Sequence, residues 1–436
     1  MNAPVYVVWG AGTDVGKTLI SAGICYASSQ ISNGAPVLYY KPVQTGFPED
    51  SDADVVASVC GGRTEFGNHS CELLVSCDAI ASFPTILSSA KCDVVARTEY
   101  AWSRPISPHL AVKQEGRPVS DKQLLQSIQE QLSIFGRRAG PGSVGFVETA
   151  GGVASPAPSG TSQCELLRTL RLPGIMVGDG RVGGISATMS AMDSLLLRGL
   201  DVTCIVMLDN GMHNEDALCA ILAKAGYGRY GTGEGQGPPP VIVVPPLPKR
   251  RYGNTVPHQG LRSWIVQSEA KLRKVALLLQ DAHRNRVAAL RSAAAQGAAQ
   301  LWFPFTQHGL LAASDIRVVD SRAGDFWKVW REEGGEGRLA DVWDASASWW
   351  TQGVGDELHG QVARAIAYTA SRYGHVLMPT NVHAPGLEVT RLLLQGVGAG
   401  WAERVFFSDN GSSAIEIGLK MAMRTFLTNK GLMGPD

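Results

Sequence analysis

The residues best equipped for chemistry stand near the start of the chain. Gly10-Ala11-Gly12-Thr13-Asp14-Val15-Gly16-Lys17-Thr18 follows the apolar run Val5-Tyr6-Val7-Val8-Trp9. Glycines let successive backbone N–H groups turn toward phosphate oxygens. A lysine and a hydroxyl placed like Lys17 and Thr18 serve the terminal phosphates and Mg²⁺ respectively. Gly12, Thr13, Asp14, Val15, Gly16, Lys17 and Thr18 are thus the candidate ATP-binding residues. The loop opens a helix expected from about Leu19 to Ser28, whose N-terminus favours anions. A chance glycine-rich turn is the plainer alternative, but the order strand, loop, helix is the one phosphate binding requires.

Three further groups lie just past apolar runs, where open α/β sheets place ligands. Lys41-Pro42-Val43-Gln44-Thr45-Gly46 is the first, Asp52 the second, and Glu148, before Thr149-Ala150-Gly151-Gly152, the third. Thr18, Asp52 and Glu148 supply hard oxygen donors suited to Mg²⁺. Lys41 is a second cation able to neutralise charge on an acyl phosphate. Singly, each acid would pass for a surface residue; at three strand ends beside a phosphate loop they read as one site.

Those strand ends imply the elements that carry them. Val37–Tyr40, Ser143–Val147, Gly174–Val177, Cys204–Leu208 and Val241–Val244 are short, apolar on both faces and separated by helical patterns. They predict an α/β fold, a parallel sheet covered by helices on both faces. Residues 231–240 are Gly- and Pro-rich and read as a mobile surface insertion. Leu261, Trp264, Ile265, Leu272, Val275 and Leu279 then recur at helical spacing and read as a packed connector helix. From about Trp302 the chain changes character and reads as strand-poor, Trp-rich and then helical.

Composition bounds the rest. The 436 residues carry a formal net charge of +0 and are 44% apolar, ample for a sizeable core. No basic run dominates, which argues against a nucleic-acid partner; Lys249-Arg250-Arg251 reads as a solvated loop. The eight cysteines form no CxxC pair, which argues for reduced thiols and against a zinc site. No apolar stretch approaches membrane-spanning length. The first strand begins a few residues after Met1, leaving no room for a cleavable signal; the expectation is a cytoplasmic protein.

Together, Gly12–Thr18, Tyr40–Gly46, Ser107-Pro108-His109, Gln114–Pro118 and Glu148–Gly152 resemble dethiobiotin synthetase, over roughly residues 4–250. The resemblance implies a P-loop NTPase-like fold and a homodimer with sites at the subunit interface. It implies closure of the ureido ring of dethiobiotin from 7,8-diaminononanoate, CO₂ and ATP with Mg²⁺. By motif, Thr13, Lys17, Lys41 and Thr45 match the catalytic positions that hold the diamine, its carbamate and the transferred phosphoryl group. Thr18, Asp52 and Glu148 match the metal positions. Gly151, Gly184, Ile185 and Ser186 match substrate positions, the last three at a helix start that receives the substrate carboxylate. Val177–Ser186 resembles the eukaryotic fused form, which makes a mitochondrial location a further expectation.

Trp302–Gln307, Asp344–Trp350, His375, His383-Ala384-Pro385 and Ser408–Glu416 resemble the N-terminal part of diaminononanoate aminotransferase, a class-III pyridoxal-phosphate enzyme of fold type I. The resemblance covers 300–436. It implies that Gly411 and Ser412 hold the cofactor phosphate and that Phe305, Trp349 and Trp350 line the substrate pocket. By themselves the former are an ordinary helix cap and the latter core aromatics. The Schiff-base lysine and the acid for the pyridinium nitrogen lie beyond this segment in that family, so an incomplete aminotransferase, inactive alone, is expected. The domain reading is 1–255 synthetase, 256–299 helical connector and 300–436 aminotransferase segment. Two other functions fit a P-loop: a switch or positioning ATPase, and a non-catalytic scaffold.

Overall fold

The computed structural model describes residues 3–67, 93–225, 227, 237–247, 258–345, 356–376 and 380–434. Most of the insertion expected at 231–240 therefore lies outside the described residues, as do Trp349 and Trp350. The chain divides into two compact units, Met1–Arg364 and Ala365–Asp436.

The first unit is built on a sheet of eight strands: β1 (Val5–Gly10), β2 (Val37–Thr45), β3 (Arg63–Phe66), β4 (Val94–Trp102), β5 (Val144–Glu148), β6 (Gly174–Val177), β7 (Val202–Leu208) and β8 (Val241–Val244). Their order is β3-β4-β2-β5-β1-β6-β7-β8, and every pairing is parallel. The expected α/β class is the one found. β3 and β4 had no sequence expectation. β4 carries Arg97 and Glu99, which pair with each other at 2.9 Å, so its charge pattern hides a strand that pairs along the whole of β2.

Helices cover both faces. On one lie α1 (Lys17–Ile31) and α2 (Asp52–Cys60); on the other α3 (Pro108–Glu115), α4 (Asp121–Arg138), α5 (Gln163–Leu167), α6 (Gly184–Leu196) and α7 (Asn214–Lys224). α1 begins two residues earlier than expected, at Lys17, because Gly16 supplies its left-handed N-cap. It is buried on nearly every side, from Ile20 to Cys25 without a break, the mark of a helix covered on both flanks.

The second covering layer is α8 (His258–Gln300). Leu261, Trp264, Ile265, Leu272, Val275 and Leu279 belong to the same buried cluster as α1 and the sheet. The two helices meet where α1 has Gly23: a Cβ there would lie 2.6 Å from Leu272 Cδ1. Trp264 Nε1 donates to the Pro245 carbonyl at 2.9 Å, and the Tyr6 hydroxyl to that of Leu279 at 2.6 Å. The helix expected at 256–299 thus packs into the core of the first unit, and the compact units divide after Arg364.

The strand-poor expectation after Trp302 is also corrected. β9 (Val318–Ala323), β10 (Phe326–Glu333) and β11 (Glu336–Trp343) form an antiparallel sheet in the order β11-β10-β9. The tight turns fall at Gly324, φ 54°, and Gly334-Gly335, φ 61° and 83°. Charged residues such as Lys328 and Asp341 pair across the strands at 2.5 Å, breaking the apolar alternation by which a strand is read. Arg286 of α8 meets Asp320 of β9 at 2.7 Å.

The chain continues through α9 (Asp356–Tyr373), α10 (Ala384–Gln395) and α11 (Gly411–Asn429). Within the second unit no described hydrophobic side chain is buried; Leu392, Ile415, Leu419 and Phe426 are all exposed. α10 is capped by His383 Nδ1, which accepts from the Gly386 N–H at 3.0 Å.

Candidate active site

Parallel strand order brings the C-terminal ends of β1, β2 and β5 side by side, with β5 between the other two. The chain reverses its direction of strand addition here, since β5 and β6 flank β1, and such a switch point leaves a crevice for ligands. The loop after β1 turns into α1 through Gly16, φ 92°. A side chain there would also strike Leu208 Cδ1, 2.6 Å from the Cβ position. Thr13 and Asp14 are exposed at the tip, Gly12 is half-buried, and Val15 is buried and anchors the loop.

Lys17 lies folded over the loop, its Nζ 3.3 Å from the Gly12 carbonyl. Burial pushes its pKa down, the Lys41 charge adds to this, and Glu148, Asp52 and Asp14 oppose it; the result is about 8. Lys17 is therefore poised to gain strongly from an incoming phosphate.

The other four polar residues converge. Lys41 Nζ is 2.8 Å from Asp52 Oδ2 and 2.8 Å from Glu148 Oε1. It also donates to the Thr149 carbonyl at 3.2 Å. Thr18 Oγ1 is 2.9 Å from Asp52 Oδ1 and 3.2 Å from Glu148 Oε1. Glu148 is fully buried and Lys41 nearly so. Burial works to lower the Lys41 pKa, but the Asp52 and Glu148 charges outweigh it and hold the ammonium protonated well above the usual lysine range. A buried carboxylate with its cation removed is costly, so this cluster requires a positive charge at its centre.

The donor set fits a divalent metal. One hydroxyl and two carboxylates are hard oxygen ligands, and the Lys41 ammonium is a stand-in cation already held among them. Among the described residues no group of three or more His, Cys, Asp or Glu forms a separate metal cluster.

Neighbouring residues fix the frame. Gln44 spans the loop that carries Asp52: Nε2 donates to the Thr45 and Asp50 carbonyls at 2.8 and 2.9 Å, and Oε1 accepts from the Asp52 N–H at 3.4 Å. Thr45 ends β2, half-buried. Gly151, φ 72°, begins the turn after β5. Gly184, Ile185 and Ser186 open α6, whose N-cap Gly183 makes no side-chain bond. Gly184 is buried, Ile185 half-buried and Ser186 exposed. The loop before α6 reaches the phosphate loop through Arg181, held by Asp179 at 2.8 Å, whose Nη2 is 3.4 Å from the Thr13 carbonyl.

Two groups escaped the sequence reading. Arg181 is one. The other is Ser21, whose Oγ donates to Glu148 Oε2 at 2.6 Å. Ser21 stands one helical turn after Thr18 and so shares its face; that spacing was the available signal.

The described residues expected to serve the aminotransferase segment lie at the surface of their own units. Phe305 is 98% exposed. Gly411 and Ser412 begin α11 in the exposed state, where Asn410 Oδ1 caps the Ser413 N–H at 2.9 Å. Lys420 is paired to Glu416 at 2.5 Å on the helix surface.

Fold and site define a P-loop nucleotide-binding domain, and the model of the AAA domain family matches residues 5–74. The bifunctional dethiobiotin synthetase/7,8-diamino-pelargonic acid aminotransferase of Oryza sativa subsp. japonica is 40% identical over 459 residues, 99% of this chain and 53% of that protein. The Emericella nidulans bifunctional dethiobiotin synthetase/adenosylmethionine-8-amino-7-oxononanoate aminotransferase is 36% identical over 96% of this chain and 48% of its own length. The chain thus spans about half the length of these curated relatives. The ATP-dependent dethiobiotin synthetase BioD of Caulobacter vibrioides is 30% identical over 207 residues, 47% of this chain and 78% of that protein. Among solved structures, a ParA family ATPase from Chlorobium tepidum TLS matches at 12% identity with a TM-score of 0.35, covering 63% of this chain and 98% of its own. The chain belongs to the dethiobiotin synthetase family.

Proposed function

We propose that this chain catalyses the ATP-dependent ring closure of biotin synthesis, converting 7,8-diaminononanoate and CO₂ to dethiobiotin with release of ADP and phosphate. The observation that carries this reading is the convergence of Lys41, Asp52, Glu148 and Thr18 beside a phosphate loop, in a chain of this family. CO₂ adds to one amine as a carbamate, ATP phosphorylates the carbamate, and the second amine displaces phosphate to close the ring.

Lys17 follows the terminal phosphates and offsets charge as the phosphoryl group moves. Lys41 does the same for the carbamate and its mixed anhydride. Thr13 and Thr45, at the mouths of β1 and β2, orient the diamine. Gly151 lines the turn beside it, and the α6 start at Gly184, Ile185 and Ser186 receives the substrate carboxylate. Thr18, Asp52 and Glu148 would hold Mg²⁺, which supplies charge neutralisation at the phosphates. Much of the rate advantage comes from holding the reactants in register.

Three further parts belong to the proposal. The synthetase part runs through α8, and the segment after about residue 300 is an aminotransferase portion that uses pyridoxal phosphate when complete, its phosphate at Gly411 and Ser412. The synthetase acts as a homodimer. The plant relatives' names place them in mitochondria, and we assign the same location here. Among the described residues no helix is long and apolar enough to cross a membrane.

Mass-spectrometric detection of dethiobiotin from diaminononanoate, bicarbonate and ATP-Mg tests the proposal. ATP hydrolysis that proceeds equally well without the diamine, with no dethiobiotin formed, would instead identify a switch ATPase.

A further inference from the structure

Glu148 has two oxygens with different tasks. Oε1 faces the cluster, 2.8 Å from Lys41 Nζ and 3.2 Å from Thr18 Oγ1. Oε2 points away and accepts from Ser21 Oγ at 2.6 Å. Ser21 and Glu148 are both fully buried, so water does not substitute for the hydroxyl. The Tyr39 phenol is buried in the same layer; burial first, then the charge of Glu148, holds it protonated, its hydroxyl beside the same carboxylate.

We propose that Ser21 is a positioning residue for metal binding: by holding Oε2 it sets the rotation of the Glu148 carboxylate, so that Oε1 is directed at Thr18 and the cation. The inference rests on the reading of Glu148 as a metal ligand. A carboxylate can turn about its terminal bond, a torsion whose wells are broad. With Oε2 fixed from α1 and Glu148 fixed at the end of β5, that freedom is removed. The same helix turn supplies both Thr18 and Ser21, so metal ligand and orienting group move as one rigid body. Loss of the Ser21 hydroxyl removes a short hydrogen bond from the buried Oε2, and the carboxylate is then free to turn toward another donor. Partners that orient a metal ligand from behind typically govern about 10- to 100-fold in metal affinity.

The test is Mn²⁺ titration by electron paramagnetic resonance on the full chain, in the presence of a non-hydrolysable ATP analogue. Ser21→Ala is expected to weaken Mn²⁺ binding by about 10- to 100-fold, Ser21→Thr, which keeps the donor, to restore most of it, and Ile24→Val, which alters the same buried layer but removes no polar group, to bind like the unaltered chain. Should Ser21→Ala fail to fold, Ser21→Cys, a poor donor of similar size, takes its place. Unchanged affinity in the Ser21 variant while Glu148→Gln loses binding would overturn the positioning role and leave the metal site standing. Unchanged affinity in Glu148→Gln would remove the metal reading itself, and the inference with it. An equal loss in Ile24→Val would assign the effect to general repacking and also overturn the inference.

Discussion

Removal of α8 tests how far the synthetase unit extends. Leu261, Trp264, Ile265, Leu272, Val275 and Leu279 are each at most 6% exposed and lie against α1 and the sheet. Burying one such side chain contributes roughly 1.5–3 kcal/mol. Six of them contribute on the order of 9–18 kcal/mol, and compact unfolded states lower this by about 10–40%. The total still rivals the net stability of a typical domain, about 5–15 kcal/mol. Truncation would also leave the buried Tyr6 hydroxyl and the Pro245 carbonyl without their partners. A fragment ending at residue 255 should therefore lack a cooperative unfolding transition and form no dethiobiotin, while one ending at 300 should unfold cooperatively and form the product. In the full chain, Leu272→Ala should cost about 2–5 kcal/mol because Gly23 cannot fill the space it vacates. Circular dichroism with urea titration, followed by the dethiobiotin assay, makes the measurement. A 255-residue fragment that unfolds cooperatively at the full chain's midpoint with full activity would refute the reasoning.

Lys17→Ala and Lys41→Ala should each reduce single-turnover product formation by about 10²- to 10³-fold with the fold intact, the usual cost of losing one charge-stabilising contact; near-normal turnover would remove that lysine from the mechanism. Lys17, lowered from 10.5 to about 8, sheds its proton in the folded state first. Between those values the unfolded chain binds more protons, so this group's contribution to stability rises with pH while nucleotide affinity falls. ATP-analogue titrations on either side of pH 8 should show that fall, and Lys17→Arg should abolish it. Because the Lys41 ammonium occupies the centre of the carboxylate cluster, Lys41→Met should strengthen Mn²⁺ binding to the nucleotide-free protein; equal or weaker binding would show that the lysine and the metal do not compete. Borohydride treatment with pyridoxal phosphate and peptide mapping should find no selective pyridoxyl group on Lys420 or Lys430, since Lys420 is engaged by Glu416 on an open helix face.

Much of this protein is written locally. A phosphate loop needs only a strand, a glycine-bearing turn and a helix start in succession, so Gly12 to Thr18 are legible without any distant contact. The five short apolar runs announce a parallel sheet because strands buried on both faces cannot carry polar residues at alternate positions. β4 escaped that rule because Arg97 and Glu99 satisfy each other. β9 to β11 escaped it because cross-strand charges replaced the apolar alternation. The helical spacing of Leu261 to Leu279 revealed an amphipathic helix but not the surface it meets; that depended on α1 offering Gly23 opposite Leu272. The deepest part of the site was likewise beyond local reading. Ser21 and Glu148 are separated by 127 residues, and Lys41 and Glu148 by 107. Charge and hydroxyl can be counted along a chain, but which oxygen of a carboxylate each one holds is decided only when strand order sets β5 between β1 and β2 and α1 is pressed against them.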